Sequence, residues 1–314
     1  MFDISIPLYL IGGLIGLFLG GEGVIRGSSS LALKVGVSPL VVGLTVVAFG
    51  TSSPELLVSL KAALMGSSSI ALGNVIGSNI ANIALILGLA SVIRPLQVHA
   101  NVIKREIPIM IGVSLLLVFF LIDGMVGFIE GLIFIILLIA YTIVNIFLSL
   151  KENKEIEKEF EEGLKSKLNI PTAVLFIVAG LALLFFGADL FLKGAISLAK
   201  VFNVSDAIIG LTVVAVGTSL PELFTSLVAT IKKESDIAVG NAVGSNIFNI
   251  LSILGISAIL IPIKSDQISY FDFGVMLAAA LILLPLSNSG FRISRLEGIL
   301  LLTGYFVYVY LLVQ

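Results

Sequence analysis

The sequence predicts an all-α polytopic membrane protein in which ten transmembrane helices form two inverted five-helix repeats. Three observations support this prediction. The chain of 314 residues is 58% hydrophobic and only 12% charged, with a mean hydropathy of +1.17, whereas soluble domains carry about 25% charged residues. Long apolar runs recur along the chain, and its two halves resemble each other at a constant spacing.

The apolar runs lie between charges and turn residues, and each is long enough to cross the roughly 30 Å hydrocarbon core as a helix. We place the predicted spans at residues 5–25, 38–64, 70–93, 106–122, 127–149, 171–192, 205–231, 236–262, 270–288 and 296–313. The first run has no lysine or arginine before Arg26. We therefore interpret it as a retained span and not as a cleavable signal.

The two halves repeat each other at an offset of 167 residues. Residues 43–82 align with residues 210–249 without a gap, and 25 of the 40 pairs are identical. A duplication of this extent defines the organisation of the chain. We predict a first repeat at 1–150, a charged linker at 151–168 and a second repeat at 169–314.

Because each repeat has an odd number of spans, the second copy must enter the membrane upside down. If the N-terminus lies outside, 14 of the 18 lysines and arginines face the cytoplasm, as the positive-inside rule requires. We therefore expect both termini outside and the linker at 151–168 inside, as a solvated segment or a short amphipathic helix. Inverted repeats of this kind are typical of secondary transporters.

The motifs AFGTSSPE (48–55) and AVGTSLPE (215–222) each place a glutamate inside an apolar run. A carboxylate at mid-membrane costs about 2.5–3.5 kcal/mol on insertion scales unless it is compensated. Thr51 and Ser52 precede Glu55 by four and three residues, so they share its helix face. The second motif repeats this arrangement with Thr218, Ser219 and Glu222.

Pro54 removes one backbone donor and clashes with the carbonyl of Gly50. We expect the helix to break there, so that carbonyl oxygens near Ala48–Gly50 turn inward. The next span of each half, GNVIGSNIAN (73–82) or GNAVGSNIFN (240–249), supplies further oxygens. Its serine and asparagine four residues apart are candidate ligands, namely Ser78, Asn82, Ser245 and Asn249. The other asparagines, Asn74, Asn79, Asn241 and Asn246, are more typical of helix packing.

Two inverted copies would surround one cavity with carboxylate, hydroxyl, amide and carbonyl oxygens. Hard cations such as Ca²⁺ prefer oxygen ligands of this kind. The hypothesis is therefore a cation site in which Glu55 and Glu222 neutralise one divalent ion or two monovalent ions. The alternative is that each glutamate is protonated and hydrogen-bonded across helices. Hydroxyls that bond back to their own helix would also be structural.

Other chemistry finds little support in the sequence. The chain has no cysteine, which excludes disulfides and thiolate metal sites, and its one histidine, His99, lies in a predicted loop where we expect it to be solvated. No nucleophile–base pair, cofactor loop or nucleic-acid-binding stripe is evident, so we expect no enzyme, no cofactor and no nucleic acid partner. A monomer in the lipid bilayer is the expectation.

The GTSSPE, GTSLPE and paired GNxxGSNIxN motifs resemble the two α-repeats of the calcium/cation antiporter superfamily, and most closely those of the prokaryotic sodium/calcium exchangers. The resemblance implies a ten-helix bundle with four ion sites between spans 2, 3, 7 and 8. Spans 1 and 6 would be long, tilted and able to slide. It also implies a full set of Na⁺ and Ca²⁺ ligands, namely Glu55, Glu222, Thr51, Ser52, Thr218, Ser219, Ser78 and Ser245, with the carbonyls of Ala48 and Ala215.

The chain departs from some relatives at Asn249, where potassium-dependent exchangers carry aspartate. Asparagine at both Asn82 and Asn249 removes a possible third carboxylate and argues against potassium co-transport. The hypothesis is Na⁺/Ca²⁺ antiport by alternating access, in which both ions compete for Glu55 and Glu222. The alternatives are a proton-coupled Ca²⁺/cation exchanger and a cation channel.

Overall fold

The computed structural model describes residues 5–161, 168–202, 215–265 and 268–313. The first half is built from six helices: α1 Ser5–Val35, α2 Pro39–Thr51, α3 Ser53–Leu64, α4 Ser68–Ile93, α5 Val102–Asp123 and α6 Phe128–Glu161. Helices α2 and α3 form one span that bends by 45°. The charged segment after residue 151 continues α6 as helix to Glu161, and residues 162–167 of the predicted linker lie outside the described residues.

The second half repeats this order. Its helices are α7 Ile170–Val201, α8 Ala215–Thr218, α9 Leu220–Ile231, α10 Ser235–Leu260, α11 Tyr270–Asn288 and α12 Arg295–Val313. Residues 205–214 of the predicted seventh span lie outside the described residues. Eight described helices are long and apolar enough to cross a membrane, or nine if the bent pair is one span. The chain is therefore a multi-pass membrane protein.

Helices α1 and α7 extend beyond the predicted bounds of spans 1 and 6 and are long, as the resemblance implied. They have 31 and 32 residues, which corresponds to roughly 46–48 Å at 1.5 Å per residue. The charged residues at the ends of the predicted bounds lie within these helices. Arg26 pairs with Glu22, and Lys193 pairs with Asp189 at 2.7 Å, each one turn apart.

These two helices are antiparallel and in close contact along a stripe of glycines. A Cβ atom at Gly20 would lie 2.7 Å from the carbonyl oxygen of Gly180, and one at Gly187 would lie 2.6 Å from the backbone nitrogen of Leu17. Small residues allow such backbone contact between helices in membranes. The α1–α7 pair lies beside the buried centre formed by α2, α4, α9 and α10.

Two short antiparallel β-ladders connect the halves. Leu96–Gln97 pairs with Arg292–Ile293, and Met125–Val126 pairs with Ile263–Lys264. At the offset of 167 residues, Leu96–Gln97 corresponds to Ile263–Lys264, and Met125–Val126 corresponds to Arg292–Ile293. The two ladders are thus the same contact made twice with the roles of the halves exchanged.

The same exchange appears in helix packing. A Cβ atom at Gly131 of α6 would lie 2.9 Å from the carbonyl oxygen of Gly255, and one at Gly298 of α12 would lie 2.7 Å from that of Gly88. These are equivalent positions in the two halves. Helices α6 and α12 are capped in the same way at their N-termini. Glu130 accepts a hydrogen bond from the Gly127 N–H at 2.9 Å, and Glu297 accepts one from the Ser294 N–H at 2.6 Å.

Candidate cation site

Each motif glutamate lies in the first turn of a helix that begins directly after a break in its span. The break falls at Ser52 (φ −80°, ψ 5°) and at Ser219 (φ −88°, ψ 7°), so the first lies two residues beyond the predicted Gly50. Pro54 occupies the first turn of the new helix, where no backbone donor is required. The carbonyl oxygen of Ala48 accepts a hydrogen bond from the Ser52 N–H at 3.0 Å. A carbonyl oxygen has two lone pairs, so an ion bound there would use the second one. Ala215 begins helix α8.

The two carboxylates are buried, and each accepts a hydrogen bond from the opposite half. Glu55 is 0% exposed and Glu222 is 1% exposed. Ser52 Oγ donates to Glu222 Oε1 at 2.9 Å, and Ser219 Oγ donates to Glu55 Oε1 at 3.1 Å. The structure therefore brings both predicted motifs together at the centre, with each serine beside the other half's glutamate.

Helices α4 and α10 supply the other predicted oxygens. Ser78 Oγ lies 3.2 Å from Ser219 Oγ, which joins α4 to the same cluster. Five buried oxygens of the predicted set have no hydrogen-bond partner among the described residues: Glu55 Oε2, Glu222 Oε2, Asn82 Oδ1, Asn249 Oδ1 and Ser245 Oγ. An unpaired buried polar atom is costly, so these oxygens indicate a site that is completed by something other than the chain.

The two predicted threonines differ in their surroundings. Thr51 is fully buried, and its hydroxyl contacts the Val47 carbonyl oxygen at 3.0 Å and Asn241 Oδ1 at 3.1 Å. Thr218 is half-buried and borders a cavity of about 190 Å³. The residues that line this cavity are Pro54, Phe185, Ala188, Asp189, Leu192, Gly217, Thr218 and Pro221. The Thr218 side of the centre therefore has a cavity beside α7.

The cluster contains little charge besides its two acids. Among the described residues, no group of three or more His, Cys, Asp or Glu side chains lies together. The predicted ligands are instead two carboxylates among hydroxyl and amide groups. Acceptor oxygens of this type suit Ca²⁺ or Na⁺ and not a soft transition metal.

Two of the asparagines that the sequence assigns to helix packing hold the neighbouring helices together. Asn74 Nδ2 donates to the Glu55 carbonyl oxygen at 3.3 Å and to Ser59 Oγ at 2.9 Å. Asn241 Nδ2 makes the equivalent contacts with Glu222 at 3.3 Å and Ser226 at 3.0 Å. These bonds hold the first turn after each break. The signal was present, because each asparagine and its serine partner are identical in both repeats.

A buried acid outside the centre was not predicted. Glu106 is 0% exposed and accepts hydrogen bonds from Arg105 Nε at 2.6 Å and Tyr141 Oη at 2.8 Å. The second half has a similar pair, in which Tyr308 donates to Asp272 at 3.0 Å. These bonds connect α5 to α6 and α11 to α12, and the match of the two tyrosines at the repeat offset was the only sequence signal.

The long apolar helices and the buried, acceptor-lined centre define a multi-pass membrane transport protein. The chain belongs to the sodium/calcium exchanger family, since the family model described as "Sodium/calcium exchanger protein" matches residues 5–147 and 172–314. The predicted membership of the calcium/cation antiporter superfamily is thereby confirmed. Membership also indicates a transporter and not an enzyme.

Individual relatives agree with this assignment over almost the whole chain. The putative antiporter CaxA of Alkalimonas amylolytica is 39% identical over 97% of this chain and 98% of its own length. The sodium/calcium exchanger MaX1 of Methanosarcina acetivorans is 34% identical, with 97% of each chain covered. A solved structure of the sodium-calcium exchanger NCX_Mj superimposes with a TM-score of 0.83 at 33% identity, covering 98% of both chains.

Proposed function

We propose that this protein is a secondary active antiporter that exchanges Na⁺ for Ca²⁺ across the cell membrane by alternating access. Both ions compete for one site built on Glu55 and Glu222. The observation that carries the proposal is the set of unpartnered acceptor oxygens at the centre, which includes one carboxylate oxygen from each half. The names of MaX1 and NCX_Mj, both sodium/calcium exchangers, support the choice of ions.

The proposed ligands are the residues that the motifs predicted. Besides Glu55 and Glu222, they are Thr51, Ser52, Ser78, Asn82, Thr218, Ser219, Ser245 and Asn249, with the carbonyl oxygens of Ala48 and Ala215. Two carboxylates match the charge of one Ca²⁺ or of two Na⁺. Competition enforces exchange, because an unneutralised carboxylate pair resists movement past an apolar barrier.

The proposed architecture is ten spans in two inverted repeats, with both termini outside and the linker at 151–168 in the cytoplasm. The exchanged β-ladders and glycine contacts support the inversion, and the distribution of basic residues supports the orientation. The two repeats provide a physical basis for alternation, since exchanging their conformations would move the opening from one side to the other.

The decisive experiment is ⁴⁵Ca²⁺ uptake by proteoliposomes under single imposed gradients. An outward Na⁺ gradient should drive Ca²⁺ uptake, and a K⁺ gradient should have no effect. Uptake driven by a pH gradient in the absence of Na⁺ would establish the proton-coupled alternative. Passive Ca²⁺ flux without any counter-ion would establish a channel.

A further inference from the structure

Four asparagines meet where α4 contacts α10, and their amide groups form a defined hydrogen-bond order. Asn79 and Asn82 come from α4, Asn246 and Asn249 come from α10, and all four are at most 1% exposed. A carboxamide has two different ends, since its oxygen accepts hydrogen bonds and its NH₂ donates them. The end that faces a cation site therefore decides whether the residue attracts or repels the ion.

Backbone carbonyls fix the inner pair, Asn79 and Asn246. Asn246 Nδ2 lies 3.2 Å from the Asn79 carbonyl oxygen, and Asn79 Nδ2 lies 3.2 Å from the Asn246 carbonyl oxygen. A carbonyl can only accept, so each side chain must present its NH₂ there. Met110 Sδ, a second acceptor, lies 3.5 Å from Asn246 Nδ2. The Oδ1 atom of each inner asparagine must consequently face the other way.

The inner pair then fixes the outer pair. Asn82 Nδ2 donates to Asn246 Oδ1 at 3.0 Å, and Asn249 Nδ2 donates to Asn79 Oδ1 at 3.0 Å. Because these oxygens cannot donate, the outer amides have to present NH₂ to them. Their own oxygens, Asn82 Oδ1 and Asn249 Oδ1, are left buried and without a partner among the described residues.

Helix periodicity places the outer asparagines on the same helix faces as the predicted serine ligands. Asn82 follows Ser78 by four residues, which places both on one face of α4. Ser78 is itself joined to Ser219, which donates to Glu55. Asn249 and Ser245 have the same spacing on α10.

We propose that Asn79 and Asn246 are positioning residues, each of which keeps the outer asparagine of the opposite half with its oxygen toward the cation. This inference rests on the proposed function and deepens it. Without Asn246 the Asn82 amide is free to rotate its NH₂ into the site, where its positive hydrogens repel the ion. Without Asn79 the same holds for Asn249. Residues of this kind typically change metal affinity by about 10- to 100-fold.

A double-mutant cycle tests the proposal. In the otherwise unchanged protein, Asn246→Leu should raise the KM for Ca²⁺ uptake and the Kd for Ca²⁺ of the purified protein by about tenfold, with kcat nearly unchanged. In an Asn82→Ala background there is no amide to orient, so Asn246→Leu should then change either constant less than twofold. A purely structural role predicts the same tenfold loss in both backgrounds, and that result would overturn the proposal.

The opposite half provides the matched control. Asn249 is oriented by Asn79 and not by the Asn246 side chain, so the effects of Asn246→Leu and Asn249→Ala should multiply. If Asn246→Leu does not fold, the equivalent cycle of Asn79→Leu with Asn249→Ala tests the same claim. Independent effects in both cycles would reject it.

The outcomes also separate this inference from the proposed function. If the effects of Asn246→Leu and Asn82→Ala multiply in a protein that performs Na⁺-driven Ca²⁺ uptake, only the positioning role is rejected. A wild-type protein that binds Ca²⁺ without Na⁺-driven uptake would reject the antiport, and the double-mutant cycle measured on the Kd for Ca²⁺ would still decide the positioning role. A wild-type protein that neither transports nor binds Ca²⁺ would overturn both.

Discussion

The two repeats make equivalent contacts at the centre of the molecule but not at its flanking helices. At the centre, the serine–glutamate and asparagine contacts occur twice with the halves exchanged. At the flanks, Lys232 at the end of α9 pairs with Glu22 of α1 at 2.9 Å. The equivalent of Lys232 in the first half is Met65, which cannot form such a pair with Asp189 of α7.

The packing of the flanking helices differs as well. On the α1 side, a Cβ atom at Gly21 would lie 3.1 Å from Val228 Cγ2 and 3.2 Å from the Phe224 carbonyl oxygen, so α1 contacts α9 directly. On the α7 side, the cavity of about 190 Å³ lies between α7 and Pro54 of α3. The duplicated sequence therefore preserves the centre, while the flanking helices occupy unequal positions around it.

The largest expected effect comes from the two acids, because the proposal makes both halves equally necessary. Glu55→Gln and Glu222→Gln should each reduce Na⁺-driven ⁴⁵Ca²⁺ uptake more than about 100-fold, since losing a charge interaction at a buried site costs roughly 3–5 kcal/mol. Glu130→Gln is the matched control and should retain uptake, because an amide oxygen can still accept the Gly127 N–H. Normal uptake by either central variant would reject the shared site.

A smaller effect should distinguish the two serines. The Ser219 hydroxyl contacts both Glu55 and Ser78, whereas the Ser52 hydroxyl contacts only Glu222 among the described residues. We expect Ser219→Ala to raise the KM for Ca²⁺ by about tenfold and Ser52→Ala by less, because one hydrogen bond to a charged group contributes about 1.5–3 kcal/mol.

The direction in which the KM for Ca²⁺ changes distinguishes a hydroxyl that binds the ion from one that competes with it. A hydroxyl that only competes with the ion for the carboxylate would lower the KM when it is removed, and that result would contradict its role as a ligand. Ser53→Ala is the control, since the Ser53 hydroxyl bonds back to the Phe49 carbonyl oxygen at 3.0 Å and should be neutral.

The smallest expected effect concerns the flanks. Lys232→Met copies the residue of the first half and removes the pair with Glu22, which is partly exposed and contributes at most about 1 kcal/mol. Loosening α1 should change the ratio of the conformations open to the two sides of the membrane by a few-fold. The chain has no cysteine, so Ala188→Cys in the cavity can report this shift through its labelling rate with a membrane-impermeant thiol reagent.

We expect Lys232→Met to slow this labelling two- to fivefold, a range that corresponds to at most about 1 kcal/mol, because freeing α1 favours closure of the α7 side. Lys193→Met should leave the rate unchanged, since its pair with Asp189 lies within one helix and both side chains are more than half exposed. Equal labelling in all three proteins would show that the Lys232–Glu22 pair does not influence access.

Much of the centre could be predicted because its signal is local and occurs twice. A glutamate after proline in an apolar run indicates a compensated charge, and repetition at a fixed offset indicates which residues share that role. The residue bounds of α1 and α7 could not be predicted in the same way. The apolar run predicts that the first span ends at residue 25, whereas α1 continues to Val35 with Arg26 paired to Glu22 one turn earlier.

The sequence by itself determined the class of protein, the duplication, the family and the acidic motifs, because composition and short-range spacing carry that information. Only the tertiary structure decided which half supplies the serine to each glutamate, which end of each asparagine amide faces inward, and on which side the cavity lies. These features depend on contacts between residues about 140–210 positions apart. The relative position of such distant residues is set by how whole helices pack and not by the residues adjacent in the chain.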